Sequence, residues 1–176
     1  MRPNHAIEGY RTGIGYDAHP FVDGRPLVLG GVSIPHTRGL GGHSDADVLC
    51  HAVADALLGA VAAGDIGLHF PDTDPQYRSV SSIVLLGRVR DLVRKAGARV
   101  VNVDSVLVIE EPRVSPHFDE MRDRIAGALG LMREAVSVKA TRNEGMGFTG
   151  RAEGVAAFAV ATLVTAEPVE RRLKSD

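Results

Sequence analysis

The stretch RVVNVDSVLVIEE (99–111) is rich enough in valine to read as a β-strand, and it lies between two segments of helical period. Before it, SSIVLLGRVRDLVRKAGA puts Leu85, Val89, Leu92 and Ala96 on one face and ends at Gly97. After it, SPHFDEMRDRIAGALG reads as a helix and AVSVKAT as a strand. Alternation of this kind restricts the chain to an α/β or α+β layering, and 176 residues suit a single domain. Upstream, residues 12–19 read as a first strand, and LVLGGVSI (27–34) as another that bends at its paired glycines. HSDADVLCHAVADALLGAVAAGD reads as a helix with Ser44 as N-cap, Asp45 and Asp47 at its positive end and Gly64 as its stop. The polar loop DIGLHFPDTDPQYRS is long for a compact domain, and such loops often carry function. GVAAFAVATLVTA is ambiguous by pattern, since alanine favours helix while Val and Phe favour strand.

Composition narrows the function. Apolar residues make up 44% of the chain and aromatics only 5%, so the core is aliphatic. A net charge of −2 excludes a general nucleic-acid binder, while leaving room for a local basic patch that holds a phosphorylated small molecule. A single cysteine, Cys50, excludes an intrachain disulfide, suits the reducing cytoplasm and reads as a small core residue. No apolar run reaches the ~18 residues of a membrane span, and MRPNHAIEGYRT lacks an apolar signal core. Residues 1–11 read as a loose extension, 12–166 as the domain and 167–176 as a polar tail.

In GYDAHPF, Asp17 and His19 stand two apart, which on a strand aims both at one face. On the first helix, His51 shares a face with Asp47 and Asp55, four residues to either side. A His51 turned toward the strand completes one carboxylate and two imidazoles, the mix zinc prefers, with a fourth position open for substrate. Asp55 either orients its neighbours or covers the helix surface. Four other stretches hold more polar chemistry than a loop requires. GHSDAD puts His43 and Ser44 at a helix N-terminus, GDIGLHFPDTD carries Asp65, Asp72 and Asp74, EEPRVSPH holds Arg113, and KATRNEGMGFTGRAEG gathers Lys139, Thr141, Arg142, Asn143, Glu144 and Arg151. Together they predict a phosphate-rich ligand held by cations, backbone amides and metal. No Walker loop or dinucleotide fingerprint is present.

GIGYDAHPF, LGGHSDADVLCHAVADALLGA, GDIGLHFPDTDP and GFTGRAEG, in this order between residues 12 and 165, resemble the 2-C-methyl-D-erythritol 2,4-cyclodiphosphate synthase family of the non-mevalonate isoprenoid pathway. The resemblance implies an α+β domain with a four-stranded sheet packed against helices. It implies a homotrimer whose sheets surround a central channel, a strand rather than a helix for 154–165, and active sites between subunits. The implied substrate is 4-diphosphocytidyl-2-C-methyl-D-erythritol 2-phosphate, and the implied products are the cyclic diphosphate and CMP. Asp17, His19 and His51 match the zinc ligands, with Ala18 between the first two, and Glu144 matches the ligand of a second divalent ion, magnesium or manganese. His43 and Ser44 match the pair at the erythritol phosphate end, and Asp65, Ile66 and Gly67 a substrate-contacting turn. Phe70, Pro71, Asp72, Thr73 and Asp74 match a loop that closes on substrate. Ile109, Glu110, Glu111, Pro112, Arg113, Val114 and Ser115 match the cytidine pocket, with Thr141, Arg142 and Asn143 beside the phosphates. Phe148 and Arg151 match the region near the channel, which is implied to take an isoprenoid diphosphate. His43 and Arg142 occupy the catalytic positions.

Two departures from the family pattern stand out. Arg142 replaces a usual threonine, and Glu110 and Glu111 replace small or neutral residues; the expectation is that Arg142 turns outward and pairs with one of these acids. Two other functions fit the motifs: a zinc-dependent phosphohydrolase, and a non-catalytic trimer that binds isoprenoid diphosphates.

Overall fold

A computed structural model describes residues 9–77 and 80–165. Among them, five strands form one mixed sheet in the order β4-β1-β7-β5-β6. β1 (Gly9–Asp23) pairs antiparallel with β7 (Gly154–Thr165), β7 antiparallel with β5 (Ala98–Val108), and β5 parallel with β6 (Val136–Thr141). The four long strands are the expected ones. The fifth, β4 (Arg38–Leu40), corrects the expected count: it pairs with Phe21–Asp23, because β1 runs on past residue 19. Three residues with a glycine in the middle leave no periodic trace in a sequence. LVLGGVSI is likewise not one bent strand but a hairpin, β2 (Leu27–Leu29) and β3 (Val32–Ile34), with Gly30 and Gly31 both at positive φ in the turn. β7 is a strand, as the family resemblance implied and the pattern alone did not decide. The extension and tail lie outside the described residues, except that β1 already begins at Gly9.

Helices α1 (Val48–Ala60), α3 (Ser82–Lys95) and α4 (Phe118–Leu129) cover one face of the sheet. α1 is nearly all buried, which an Ala- and Leu-rich sequence with polar residues only at His51 and Asp55 permits. Its N-cap is Asp47, not Ser44. The Asp47 carboxylate accepts from Cys50 N–H at 3.1 Å and from the hairpin turn, Gly30 N–H at 2.9 Å and Gly31 N–H at 2.6 Å. The fully buried Asp47 therefore ties hairpin to helix, and its carboxylate is spent on these backbone donors rather than on a site shared with His51. Burial and the nearby Asp45 charge push its carboxyl above the usual range, against the three backbone donors. Cys50 is buried, and its thiol is pushed well up by that burial, in keeping with a core role. No helix among the described residues is long and apolar enough to cross a membrane.

The other sheet face carries a row of exposed apolar side chains. Tyr10, Ile14, Tyr16, Phe158 and Val160 project from β1 and β7 with 71%, 72%, 49%, 43% and 41% of their surface exposed. Ile14 stands opposite Val160 and Tyr16 opposite Phe158, so the patch is contiguous.

Candidate active site and metal centre

The inner face of β1 reads Gly13, Gly15, Asp17, His19 at the strand period of two. The two glycines let α1 lie backbone against backbone: a Cβ on Gly13 would sit 2.0 Å from the Ala56 carbonyl oxygen, and one on Gly15 1.9 Å from that of Ala52. The strand thereby holds its next two side chains level with His51. The Asp17 Oδ2 atom is 2.9 Å from His19 Nε2 and 2.9 Å from His51 Nδ1, and the two nitrogens are 3.2 Å apart. Ligand atoms around a tetrahedral ion with bonds of ~2.0–2.1 Å are separated by roughly 3.3 Å. The three edges come close to that, so the donor set fits a zinc-like ion bound on one side and open on the other. Burial works to raise the Asp17 carboxyl, but hydrogen bonds from His19 and His51, with their charge, outweigh it and hold the group well below the usual carboxylate range. Burial works to lower His51, and the Asp17 carboxylate overrides it and raises the imidazole.

A cavity of about 460 Å³ opens at this cluster. His43, Ser44, Ile66, Gly67, Phe70, Pro71 and Asp72, which the family resemblance assigned to the substrate, line it beside Asp17, His19 and His51, and so does Asp55. Asp55 accepts from Ile66 N–H at 2.7 Å, so it anchors the turn that brings Ile66 and Gly67 to the cavity rather than orienting a ligand. Burial raises the Asp55 carboxyl, with that hydrogen bond opposing. Asp65 spends its carboxylate on capping the short helix α2 (Ile66–His69) through Leu68 N–H at 2.9 Å. Thr73 and Asp74 lie further along the loop, where Asp74 accepts from Gln76 N–H at 3.0 Å.

Most of the positions that the resemblance matched to the cytidine pocket line a second cavity, of about 520 Å³, where the parallel strands β5 and β6 end. Carboxyl ends of parallel strands are a usual place for ligands. Ile109, Glu110, Pro112, Arg113, Val114, Ser115, Thr141, Arg142 and Glu144 line it. Asn143 is fixed from below, its N–H on Glu110 Oε2 at 3.3 Å and its amide on Thr149 Oγ1 at 2.7 Å. Arg142 pairs neither with Glu110 nor with Glu111 but with Glu144, at 3.7 Å and largely in solvent. Glu111 faces Arg38 at 3.9 Å. Lys139 is engaged with Asp104 at 2.7 Å across the strand pair. Phe148 and Arg151 lie in and just after α5 (Gly147–Gly150), outside both cavities, and Arg151 pairs with Glu153 at 2.8 Å.

The YgbB family matches residues 10–164 of the chain. The chain belongs to that family. It is 61% identical over 86% of its length to a 2-C-methyl-D-erythritol 2,4-cyclodiphosphate synthase of Pelotomaculum thermopropionicum, covering 93% of that protein. Among solved structures it is similar to a CDP-bound 2C-methyl-D-erythritol-2,4-cyclodiphosphate synthase, with a TM-score of 0.80 and 38% identity over 87% of this chain and 99% of the other. It also resembles the bifunctional IspDF of Campylobacter jejuni, with a TM-score of 0.86 and 40% identity over 90% of this chain, and spans 43% of that longer protein. At this similarity the family's reaction, formation of the cyclic diphosphate for isoprenoid synthesis, is this chain's reaction.

Two residues behind the metal cluster escaped the sequence reading. Ser82, at the start of α3, is 1% exposed and lies 3.0 Å from His51 Nε2. Asp45 accepts the Ser82 hydroxyl proton. Neither has a local signature, because 37 residues separate them.

Proposed function

We infer that the chain is a CMP-releasing, cyclising phosphorus–oxygen lyase acting on 4-diphosphocytidyl-2-C-methyl-D-erythritol 2-phosphate, and that it works as a homotrimer. The observation that carries this reading is the Asp17–His19–His51 cluster at the mouth of a cavity lined by the other family positions. An oxygen of the 2-phosphate attacks the β-phosphorus. The bond from β-phosphorus to the bridging oxygen breaks, and CMP leaves with that oxygen and the electron pair. Both reacting groups belong to one molecule, so the protein's task is to fold it into line and neutralise its charge. Asp17, His19 and His51 would hold zinc, and Glu144 a magnesium or manganese ion that hard phosphate oxygens complete; such ions act as Lewis acids and as templates. His43 and Ser44 bind the 2-phosphate end, Ile66 and Gly67 the erythritol, and residues 109–115 the cytidine. Arg142, released from Glu144, neutralises charge on the diphosphate. A phosphate dianion is already a nucleophile, so no general base is required.

Two features support the trimer. The metal half and the nucleotide half line separate cavities of one chain, as a site shared between neighbours requires. The apolar outer face of β1 and β7 is one that assembly would cover, enclosing a channel near Phe148 and Arg151 fit for an isoprenoid diphosphate. An end-point assay with zinc and magnesium tests the reaction. Equal amounts of cyclic diphosphate and CMP are expected, while free phosphate would replace this reading with a zinc phosphohydrolase.

A further inference from the structure

Residues 42–44 carry His43 and Ser44 to the cavity beside Asp17, His19 and His51, yet no helix or strand holds them there. The flanking backbone is pinned at two points. Gly41 N–H donates to the Pro20 carbonyl at 2.8 Å, and Asp45 N–H to the Val80 carbonyl at 3.2 Å. Between these points one side chain does the holding. Arg25 donates from Nη1 to the Gly42 carbonyl and from Nη2 to the Ser44 carbonyl. A guanidinium is a rigid planar fork, so two such bonds fix direction as well as distance. Arg25 reaches over from a firm base. It follows Gly24, at φ 75°, and the next residue, Pro26, biases it to extended backbone. This turn lies backbone against backbone on β4: a Cβ on Gly39 would sit 2.2 Å from the Pro26 carbonyl oxygen and 2.5 Å from that of Arg25. On the other side, a Cβ on Gly42 would come within 3.2 Å of His19 Cε1. The segment is thus held between Arg25 and His19.

The direction of the fork decides what the segment presents to a ligand. The N–H of a planar trans peptide points opposite to its C=O. With the Gly42 carbonyl on Arg25, the His43 N–H faces away from Arg25. Gly42, His43 and Ser44 line the cavity, and Arg25 stands outside its lining. Among the described residues, the N–H groups of Gly42, His43 and Ser44 meet no acceptor, and no carboxylate pairs with Arg25. Consecutive unpaired N–H groups are the donors that anions collect. Two carbonyl oxygens that would repel an anion are drawn off to the guanidinium, whose charge is not cancelled by a neighbouring acid.

We propose that Arg25 is a positioning residue for the attacking phosphate: by claiming the Gly42 and Ser44 carbonyls, it sets His43, Ser44 and their backbone donors against the 2-phosphate. The proposal rests on the cyclase reading and adds to it a residue that does not touch substrate. Its effect is local. The cavity at the ends of β5 and β6, proposed for the cytidine, is lined by residues of 109–118 and 140–144, none of which Arg25 contacts. Loss of the fork should therefore disturb the erythritol phosphate end and spare the nucleotide end.

Two measurements on the full chain test this in wild type, Arg25→Ala and Arg25→Lys: steady-state kinetics with the substrate, and calorimetric binding of CDP, which lacks the erythritol 2-phosphate. In Arg25→Ala, kcat/KM is expected to fall on the order of a hundredfold, the scale of a misplaced reacting group, with CDP affinity and bound zinc unchanged. Arg25→Lys keeps the charge and loses the fork, so a smaller fall with the same selectivity is expected. Wild-type kcat/KM in Arg25→Ala would overturn the proposal. A parallel loss of CDP affinity, zinc and turnover would overturn it too, since a general defect of the fold moves all three. Should Arg25→Ala fail to fold, Arg25→Lys carries the same comparison, and wild-type kcat/KM there would overturn the fork. A wild-type protein that makes no cyclic diphosphate would overturn the cyclase reading instead. Binding of 2-C-methyl-D-erythritol 2-phosphate to wild type and to the Arg25 variants would then still decide whether Arg25 serves a phosphate.

Discussion

At the scale of single residues, the strongest constraint is the charge balance of Asp17 and His51. In the metal-free chain the depressed Asp17 carboxyl contributes stability above its ordinary 3.8, and that contribution is lost as pH falls through its lower folded value. The raised His51 contributes below its ordinary 6.5, and that contribution is lost as pH rises through its higher folded value. Zinc must displace the His51 proton, so its binding weakens as pH falls through the same range. The gain in melting temperature on adding zinc is therefore expected to grow as pH rises from the ordinary histidine 6.5 through the raised folded value; a constant or shrinking gain would show that His51 is not a ligand. His51→Ala should lose the zinc altogether while keeping the fold, which metal analysis of the purified variant checks. Arg142 gives a second residue-scale outcome. It pairs with Glu144, proposed above as the second-ion ligand, at 3.7 Å in solvent, where an ion pair adds little stability. Arg142→Thr should leave melting unchanged. If the guanidinium moves onto the leaving diphosphate, turnover should fall about a hundredfold, roughly 2.7 kcal/mol, at unchanged substrate affinity. A fall below about threefold would confine Arg142 to the Glu144 pair. The ligands themselves were legible in the sequence because strand period and helix period each put their side chains on one face. Arg142's partner was not, because a flexible cation among three nearby acids is sorted by backbone geometry.

At the scale of elements, the site depends on how closely β1 approaches α1. Gly13 and Gly15 recur every two residues, Ala52, Ala56 and Ala60 every four, and the two small-residue stripes meet. Gly15→Ala would drive a Cβ into the Ala52 carbonyl, an overpacking that costs typically 1–3 kcal/mol or more. The strand must move away, so zinc affinity should fall along with the urea midpoint. A variant that lost stability and kept zinc affinity would separate the packing from the site. That stripe went unread in the sequence, because a pattern that serves both packing and chemistry looks only like a weak strand. The start of α1 was not legible. Ser44, Asp45 and Asp47 are all good caps by type, and the choice of Asp47 is made by the distant Gly30–Gly31 turn that its buried carboxylate also binds. The hairpin and the three-residue β4 were missed for a related reason: short elements are defined by their partners, and pairing across the chain leaves no local period.

At the scale of the whole molecule, the proposed trimer makes its sharpest claim in the division of the site. The Asp17–His19–His51 cluster lines one cavity and Glu144 another, so under the proposed trimer one chain folded alone would present two halves rather than a working centre. On the same proposal, the exposed Ile14 and Phe158 would belong to a surface that assembly covers. Ile14→Lys should cost little in an isolated chain but would bury a charge between subunits, so light scattering should show monomers that bind zinc and do not turn over. Mixing offers a sharper test. His51→Ala lacks the metal half and Glu144→Ala the second-ion half, and each alone should be inactive. In a ring where each centre takes its halves from neighbouring chains, equal mixing of the two variants leaves about a quarter of the centres with both halves intact, since each half is intact with even odds. Unfolding the two together and refolding them should therefore restore roughly a quarter of wild-type turnover. Were both halves to come from the same chain, every centre would carry a lesion whatever the mixture. Turnover restored only on mixing would establish the shared centre, and an inactive mixture of properly assembled trimers would return the site to a single chain.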